Sequence, residues 1–312
     1  MGKKSSQWRL QKLGTKTLRM RILLIGCNGQ LGSELRFKLN KFGELVAVNR
    51  EQLDLANPNQ IRMFVDRIKP GIIINAAAYT NVDKAEGEHE LCRQINVISP
   101  QIFAECANQL KIPLIHYSTD YVFDGLKAGD YLESDSTNPQ SFYGKTKCEG
   151  EEKVRLYNKH IILRTSWIFS KYGENFLKTI LKHIQNKNSL SIINDQIGAP
   201  TSTSTLSDVT CEMVRLILEN KNFKYFGTFH ATNSGETSWF DYAKFISSEA
   251  IKLGVKVRCP PSQIQPISSS EYSAVAKRPL NSKLNCEKLK KTFMLELPSW
   301  QDEVKRVLRE II

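Results

Sequence analysis

The stretch "RMRILLIGCNGQLGSELRFKL", residues 19–39, decides the fold. Ile22, Leu23, Leu24 and Ile25 run without a break into Gly26, and two more glycines follow at Gly29 and Gly32. Leu31, Leu35 and Leu39 then recur at helical spacing. A short continuous apolar run suits a strand buried on both faces, and the leucines place a helix directly after the glycines. A helix N-terminus presents free N–H groups and partial positive charge, a natural seat for a pyrophosphate. Close approach needs a turn free of Cβ atoms. Gly26 is expected to make the turn, Gly29 to admit the phosphates, and Gly32 to let the helix pack on the strand. A strand before the glycines and a helix after them is the context that turns a weak motif into a dinucleotide site. Asn28, Gln30 and Leu31 join the glycines as cofactor-binding candidates.

Outward from that turn, short β-rich runs alternate with amphipathic stretches. Strands are expected at 45–48, 72–75, 112–118 and 161–166, and helices at 30–42, 58–69, 90–110 and 142–158. The pattern predicts an α/β fold with a doubly wound parallel, Rossmann-like sheet, its ligands beyond the carboxyl ends of the strands. The dinucleotide-binding domain is expected over 20–166. After 166 the alternation loosens: a helix over 204–219 and a strand over 226–231 are placed to return to the sheet. Residues 167–203 and 232–312 form a smaller substrate-binding lobe in this reading, with a Ser/Pro-rich loop at 259–270 and a last helix from about Ser299.

Composition narrows the function. With 41% hydrophobic and 24% charged residues, the 312-residue chain reads as a soluble globular protein. No run reaches the ~18 apolar residues of a membrane helix. The net charge is +12, but half of it comes from Lys3, Lys4, Arg9, Lys12, Lys16 and Arg19, in a segment with no acid. Residues 1–19 are expected to be an unstructured basic tail preceding the functional unit. The rest is a mildly basic surface suited to anionic small molecules, without the aromatic-interleaved stripe of a nucleic-acid binder. Seven scattered cysteines with no CxxC pair, and five dispersed histidines, give neither a disulfide framework nor a metal motif; a reducing cytoplasm is the expected setting.

At the end of the second strand an acid would bind the ribose of NAD, whereas an arginine accommodates the 2′-phosphate of NADP. Asn49 and Arg50 stand there, so NADPH is favoured; NADH stays open because Glu51 follows at once. Asp54 and Leu55 are placed to meet the adenine, Asp54 having a turn-capping role as its alternative. Of ten tyrosines only Tyr143 has a lysine four positions on, Lys147, and the two share a helix face.

These pieces carry a resemblance. The glycine turn, "NAAAYTNVDKAE" (75–86), "STDYVFDG" (118–125), Tyr143 with Lys147, "RTSW" (164–167), "NDQIGAPT" (194–201), "GETSW" (235–239) and "KRPLNSKLN" (277–285) resemble the extended short-chain dehydrogenases. Within that superfamily the chain is similar, from Met20 onward, to the dTDP-4-dehydrorhamnose reductase family. The resemblance implies that Tyr143 is the general acid, Lys147 its modulator and ribose anchor, and Thr119 the hydroxyl that holds the carbonyl oxygen. It implies reduction of the C4 keto group of dTDP-4-dehydro-L-rhamnose with NADPH. An ammonium ~6 Å from the phenol, at an effective dielectric of ~20, would lower its usual pKa of about 10 by roughly two units. Dehydratases of the superfamily place an Asp–Glu pair after the threonine; Asp120–Tyr121 here favours plain reduction.

Ala76, Ala77 and Ala78 complete the expected cofactor wall. Thr80, Val82, Asp83, Asp120 and Trp167 are expected at the sugar nucleotide, and Arg278 as a diphosphate clamp. Asn175, Gln196 and Thr201 are further candidates. Some family members hold magnesium between subunits, which leaves a homodimer open and puts Glu34 in a fitting helix position. Two alternatives stand beside this reading: a reductase of another nucleotide-linked 4-keto sugar, and a non-catalytic subunit like the regulatory subunit of methionine adenosyltransferase.

Overall fold

The structure is a computed structural model that describes residues 20–312; the expectation for the basic segment 1–19 lies outside the described residues. Six parallel strands form the central sheet: β1 (Arg21–Ile25), β2 (Glu44–Val48), β3 (Ile72–Asn75), β4 (Leu114–Thr119), β5 (His160–Thr165) and β6 (Gly227–His230). Their order is β6-β5-β4-β3-β1-β2, all pairs parallel. The order reverses direction between β1 and β3, which makes the crevice beyond their carboxyl ends the place where ligands bind in such sheets.

The sheet is two-sided because its strands are apolar on both faces. Ile22, Leu24, Ile72 and Ile74 face one core, with Leu31, Leu35 and Leu39 of α1 (Gln30–Leu39). Leu23, Ile25 and Ile73 face the other, with Ile61 and Val65 of α2 (Pro58–Ile68) and Ile102 and Phe103 of α3 (Ser99–Leu110). Residues 226–231 supply β6, which pairs with β5, and α5 (Thr203–Glu219) packs against α1. A separate apolar cluster joins Phe169, from the short strand Ile168–Phe169, to Leu177, Tyr242, Ile246, Trp300 and Val304, from the helices Phe176–Asn186, Trp239–Lys252 and Trp300–Ile311.

Three elements differ from the sequence expectation. The helix expected over 90–110 is interrupted by a π-helical turn, Gln94–Ile98. Asn96 in that turn bridges to the Tyr79 backbone (2.9 and 3.1 Å) and to Thr146 Oγ1 (3.2 Å). Such turns widen a helix locally so that one side chain can reach inward. The loop expected over 259–270 contains a strand, Ile264–Ile267, paired with Leu190–Ile193. Its partner lies some seventy residues earlier, beyond local patterning. A short helix, Glu287–Phe293, buries Leu289 and Phe293 under β6.

Candidate active site

A cleft of about 1070 Å³ opens along the carboxyl ends of β1 to β5. At its nucleotide end, Gly26 has φ +81°, a conformation L side chains rarely adopt, and a Cβ there would lie 2.9 Å from Ala77. A Cβ on Gly32 would lie 2.0 Å from the Gly26 carbonyl oxygen, so only glycine allows α1 this close to the turn. Gly29 is the N-cap of α1 and offers no side chain to the first-turn N–H groups, which stay available to an anion. This cradle fits a dinucleotide diphosphate. Asn28, Gly29, Gln30 and Leu31 line the cleft with Gly26, whereas Gly32 stands behind them as packing.

Asn49, Arg50, Asp54 and Leu55 line the same end. The Asn49 side chain accepts the N–H groups of Glu51 (3.1 Å) and Gln52 (3.2 Å), so it shapes the turn after β2. Arg50 is exposed and lines the cleft, whereas Glu51 is not among the lining residues. Asp54 Oδ1 accepts the Ala56 N–H at 3.0 Å, an Asx turn that matches the capping alternative for this residue. Ala76, Ala77 and Ala78 form the facing wall.

The groups expected to react converge where β4 ends and α4 (Phe142–Arg155) begins. Ser141 caps α4 by accepting the Gly144 N–H (3.1 Å), which sets the helix start so that Tyr143 and Lys147 both line the cleft. Gly144 is required here because its Cβ would lie 2.3 Å from the Tyr121 carbonyl oxygen. Tyr143 is buried, with Tyr121 edge-on at 5.5 Å. Thr119 Oγ1 donates to Asp120 Oδ1 (3.0 Å) and accepts the Tyr121 N–H (3.2 Å). Asp120 is fully buried and also accepts from Ser282 Oγ. Burial pushes its carboxyl up to about 6 against the pull of those two hydroxyls.

The expectation that Lys147 draws the Tyr143 phenol toward neutrality needs correction. Burial holds the phenol well above its ordinary value; the Thr119 hydroxyl offsets part of this and the Asp120 charge adds to it. Lys147 is itself driven down to about 8 by burial, with Glu151 restoring part of its proton affinity. A desolvated ammonium and a desolvated phenolate are both costly, so in this arrangement the phenol keeps its proton. That is the form a proton donor needs.

At the sugar end, Thr80, Val82, Thr119, Asp120 and Trp167 line the cleft. Trp167 has φ +49° and stacks on Trp239, centroids 3.6 Å apart at 12°. Gly198 lies close against the ring: a Cβ there would come within 2.7 Å of the indole. Trp239 also lines the cleft. Sequence reasoning did not name it as a site residue, nor Tyr121, Ser166 or Glu174, which line the cleft as well.

Two expected substrate contacts lie elsewhere. Asp83 and Arg278 are not among the cleft-lining residues; they pair with each other, Nη2 to Oδ2 at 2.7 Å. Burial raises the Asp83 carboxyl, but the Ala276 N–H and the guanidinium outweigh it and leave it below its ordinary value. Asn175, Gln196 and Thr201 are not among the lining residues either: Asn175 caps the helix Phe176–Asn186 and donates to Gln30 (3.0 Å), which does line the cleft, Gln196 donates to Ser269, and Thr201 donates to the Ala199 carbonyl.

A phenol and an amine beneath a glycine-cradled nucleotide cleft, on a doubly wound sheet, define an extended short-chain dehydrogenase or reductase. Comparison with known proteins narrows the class. Residues 20–312 match the family described as "RmlD substrate binding domain". The dTDP-4-dehydrorhamnose reductase of Escherichia coli (strain K12) is 41% identical over 297 residues, covering 94% of this chain and 98% of that protein. Solved dTDP-4-dehydrorhamnose reductases superimpose along nearly the whole chain. The Bacillus anthracis structure, in complex with NADP, has TM-score 0.84 and 35% identity, covering 94% of this chain and 99% of its own. The Clostridium acetobutylicum structure has TM-score 0.85 and 36% identity, with the same coverage of both chains. This chain belongs to the dTDP-4-dehydrorhamnose reductase family.

Proposed function

We propose that this chain is an NADPH-dependent reductase that converts the C4 keto group of dTDP-4-dehydro-L-rhamnose to the alcohol of dTDP-L-rhamnose. The observation that carries the reading is the buried Tyr143, which lines one continuous cleft with Thr119, Lys147 and the glycine cradle. When bound, the reduced nicotinamide supplies the hydride equivalent that a carbonyl carbon accepts. Tyr143 Oη gives its proton to the carbonyl oxygen as charge develops there. Thr119 orients that oxygen once its hydroxyl proton turns from Asp120 Oδ1 to the carbonyl, and Lys147 would anchor the cofactor ribose. Arg50 meets the 2′-phosphate at the exposed end of the cleft, while the Trp167–Trp239 pair walls the sugar end and excludes water.

The same proposal includes a nucleotide sugar as partner rather than nucleic acid, a homodimer and a cytoplasmic setting. All seven cysteines are free thiols, and among the described residues no helix is long and apolar enough to cross a membrane. The family resemblance alone supports the homodimer.

The deciding experiment supplies purified protein with dTDP-4-dehydro-L-rhamnose and follows the loss of NADPH. Tyr143→Phe is expected to lower kcat by roughly 10²–10⁴ while leaving the Kd for NADPH within about twofold. Near-normal turnover by Tyr143→Phe would remove the phenol from the reaction.

A further inference from the structure

A hydroxyl has one proton to give and two lone pairs to receive with. The Thr119 proton goes to Asp120 Oδ1 (3.0 Å), and one of its lone pairs takes the Tyr121 N–H (3.2 Å). What is left is a lone pair, which a carbonyl oxygen, itself an acceptor, cannot use. At neutral pH the Asp120 carboxyl, raised to about 6, is mostly ionised and only accepts. Thr119 can hold a carbonyl oxygen only if Asp120 gives its proton up.

Ser282 stands on the other oxygen of that carboxylate. Its Oγ donates to Asp120 Oδ2, and both side chains are almost completely buried. It comes from 162 positions away, on a stretch tied down from two sides. The Ser282 N–H donates to the Ile197 carbonyl (2.7 Å) and the Asn281 N–H to the Gly125 carbonyl (3.1 Å). The Asn281 side chain also donates to the carbonyls of Lys127 (2.6 Å) and Gly129 (2.8 Å). Ser282 is not among the cleft-lining residues, so it reaches the reaction only through Asp120.

The titratable groups facing the carboxylate are Tyr121, next in the chain, and Tyr143 on α4; burial keeps both phenols protonated. The Asp83–Arg278 clasp lies beyond Tyr121. Among the described residues, Thr119 and Ser282 are the two side chains that donate to Asp120, beside backbone N–H groups.

We propose that Ser282 is a positioning residue: its hydroxyl holds Asp120 Oδ2, so that Oδ1 can release the Thr119 proton to the carbonyl oxygen of the substrate. The inference rests on the reduction proposed above. A carboxylate that keeps one charge-assisted bond loses less when the other turns away. Without Ser282, the Thr119 proton is the last side-chain donor on a buried charge, and its departure becomes costly.

Two measurements on the full chain test this. In the first, without substrate, the Asp120 carboxyl is titrated by ¹³C NMR, its signal assigned through Asp120→Asn. Ser282→Ala is expected to raise its proton affinity about tenfold, one pH unit, and Ser282→Thr, which restores a hydroxyl, less than about threefold. In the second, NADPH loss with the nucleotide sugar is followed in a double-mutant cycle. Ser282→Ala is expected to lower kcat roughly tenfold in the parent and less than twofold in a Thr119→Val background, with the Kd for NADPH unchanged. Ser282→Thr is expected to restore kcat to within threefold of the parent. An unchanged Asp120 titration in folded Ser282→Ala, or equal kcat losses in the two backgrounds, would overturn the inference. Should Ser282→Ala not fold, Ser282→Cys, a weaker donor, is expected to shift both readings in the same directions, and no shift would overturn it equally. A chain that does not reduce the nucleotide sugar sinks the proposed function, and the substrate-free titration then decides whether Ser282 holds Asp120.

Discussion

Arg278 reaches across 195 positions of sequence to donate to Asp83, Nη2 to Oδ2 at 2.7 Å, tying the late polar loop to the segment after β3. A second bond, from the Ala276 N–H to Asp83 Oδ1 at 3.1 Å, fixes the same loop. The pair is a clasp behind the sugar end of the cleft, and neither member lines it.

A clasp and two separate ligand contacts behave differently in a double-mutant cycle. Asp83→Ala and Arg278→Ala are each expected to raise the KM for the nucleotide sugar roughly fivefold, with the double variant little worse than either single one. Since both side chains are partly exposed, the coupling in unfolding free energy should be about 1 kcal/mol or less. Steady-state kinetics on the four proteins checks this. Fully multiplicative losses in KM would mean that the residues contact substrate independently.

Asp120 gives a pH dependence with a definite sign. Its carboxyl is raised to about 6 in the folded chain, against about 4 when unfolded. Between those values the native state holds a proton that the unfolded chain has released. The associated stability is fully present below about pH 4 and is lost as pH rises through 6. Asp120→Asn lacks this term, so its stability relative to the parent is expected to improve by about 1 kcal/mol from pH 5 to pH 7.5. Urea midpoints at the two pH values measure it, and a relative loss over that interval would show that the buried carboxyl is not raised. The Thr119 proton, directed to Asp120 here, makes altered kcat a further expected effect of the same variant.

Arg50 sits exposed at the end of β2, where its fork can meet a phosphate without displacing a protein partner. Arg50→Ala is expected to weaken NADPH binding roughly tenfold and NADH binding less than twofold. Titration calorimetry with both cofactors separates the cases. Equal losses would place the 2′-phosphate elsewhere.

Much of the site could be read before any fold was seen, for local reasons. Gly26 and Gly32 are forced by clashes with atoms a few residues or one strand away, and the one-turn spacing of Tyr143 and Lys147 is a property of any helix. The side chains misjudged from the sequence share a different trait. Asp83 and Arg278 take each other as partners across the chain, and nothing near either in sequence names that partner.

The amino-acid sequence by itself determined the alternation of buried strands and amphipathic helices, the glycine turn and the phenol–amine pair, because backbone sterics and periodicity act over a few residues. Only the tertiary structure decided which charges are spent and which protons stay. It brought Ser282 to Asp120, Trp239 to Trp167 and Asn75 to His116, and it withdrew Tyr143 and Lys147 from water. Proton affinity is set by desolvation and by neighbours that strand order and lobe packing assemble. The phenol was visible in the letters; its proton affinity was a property of the folded interior.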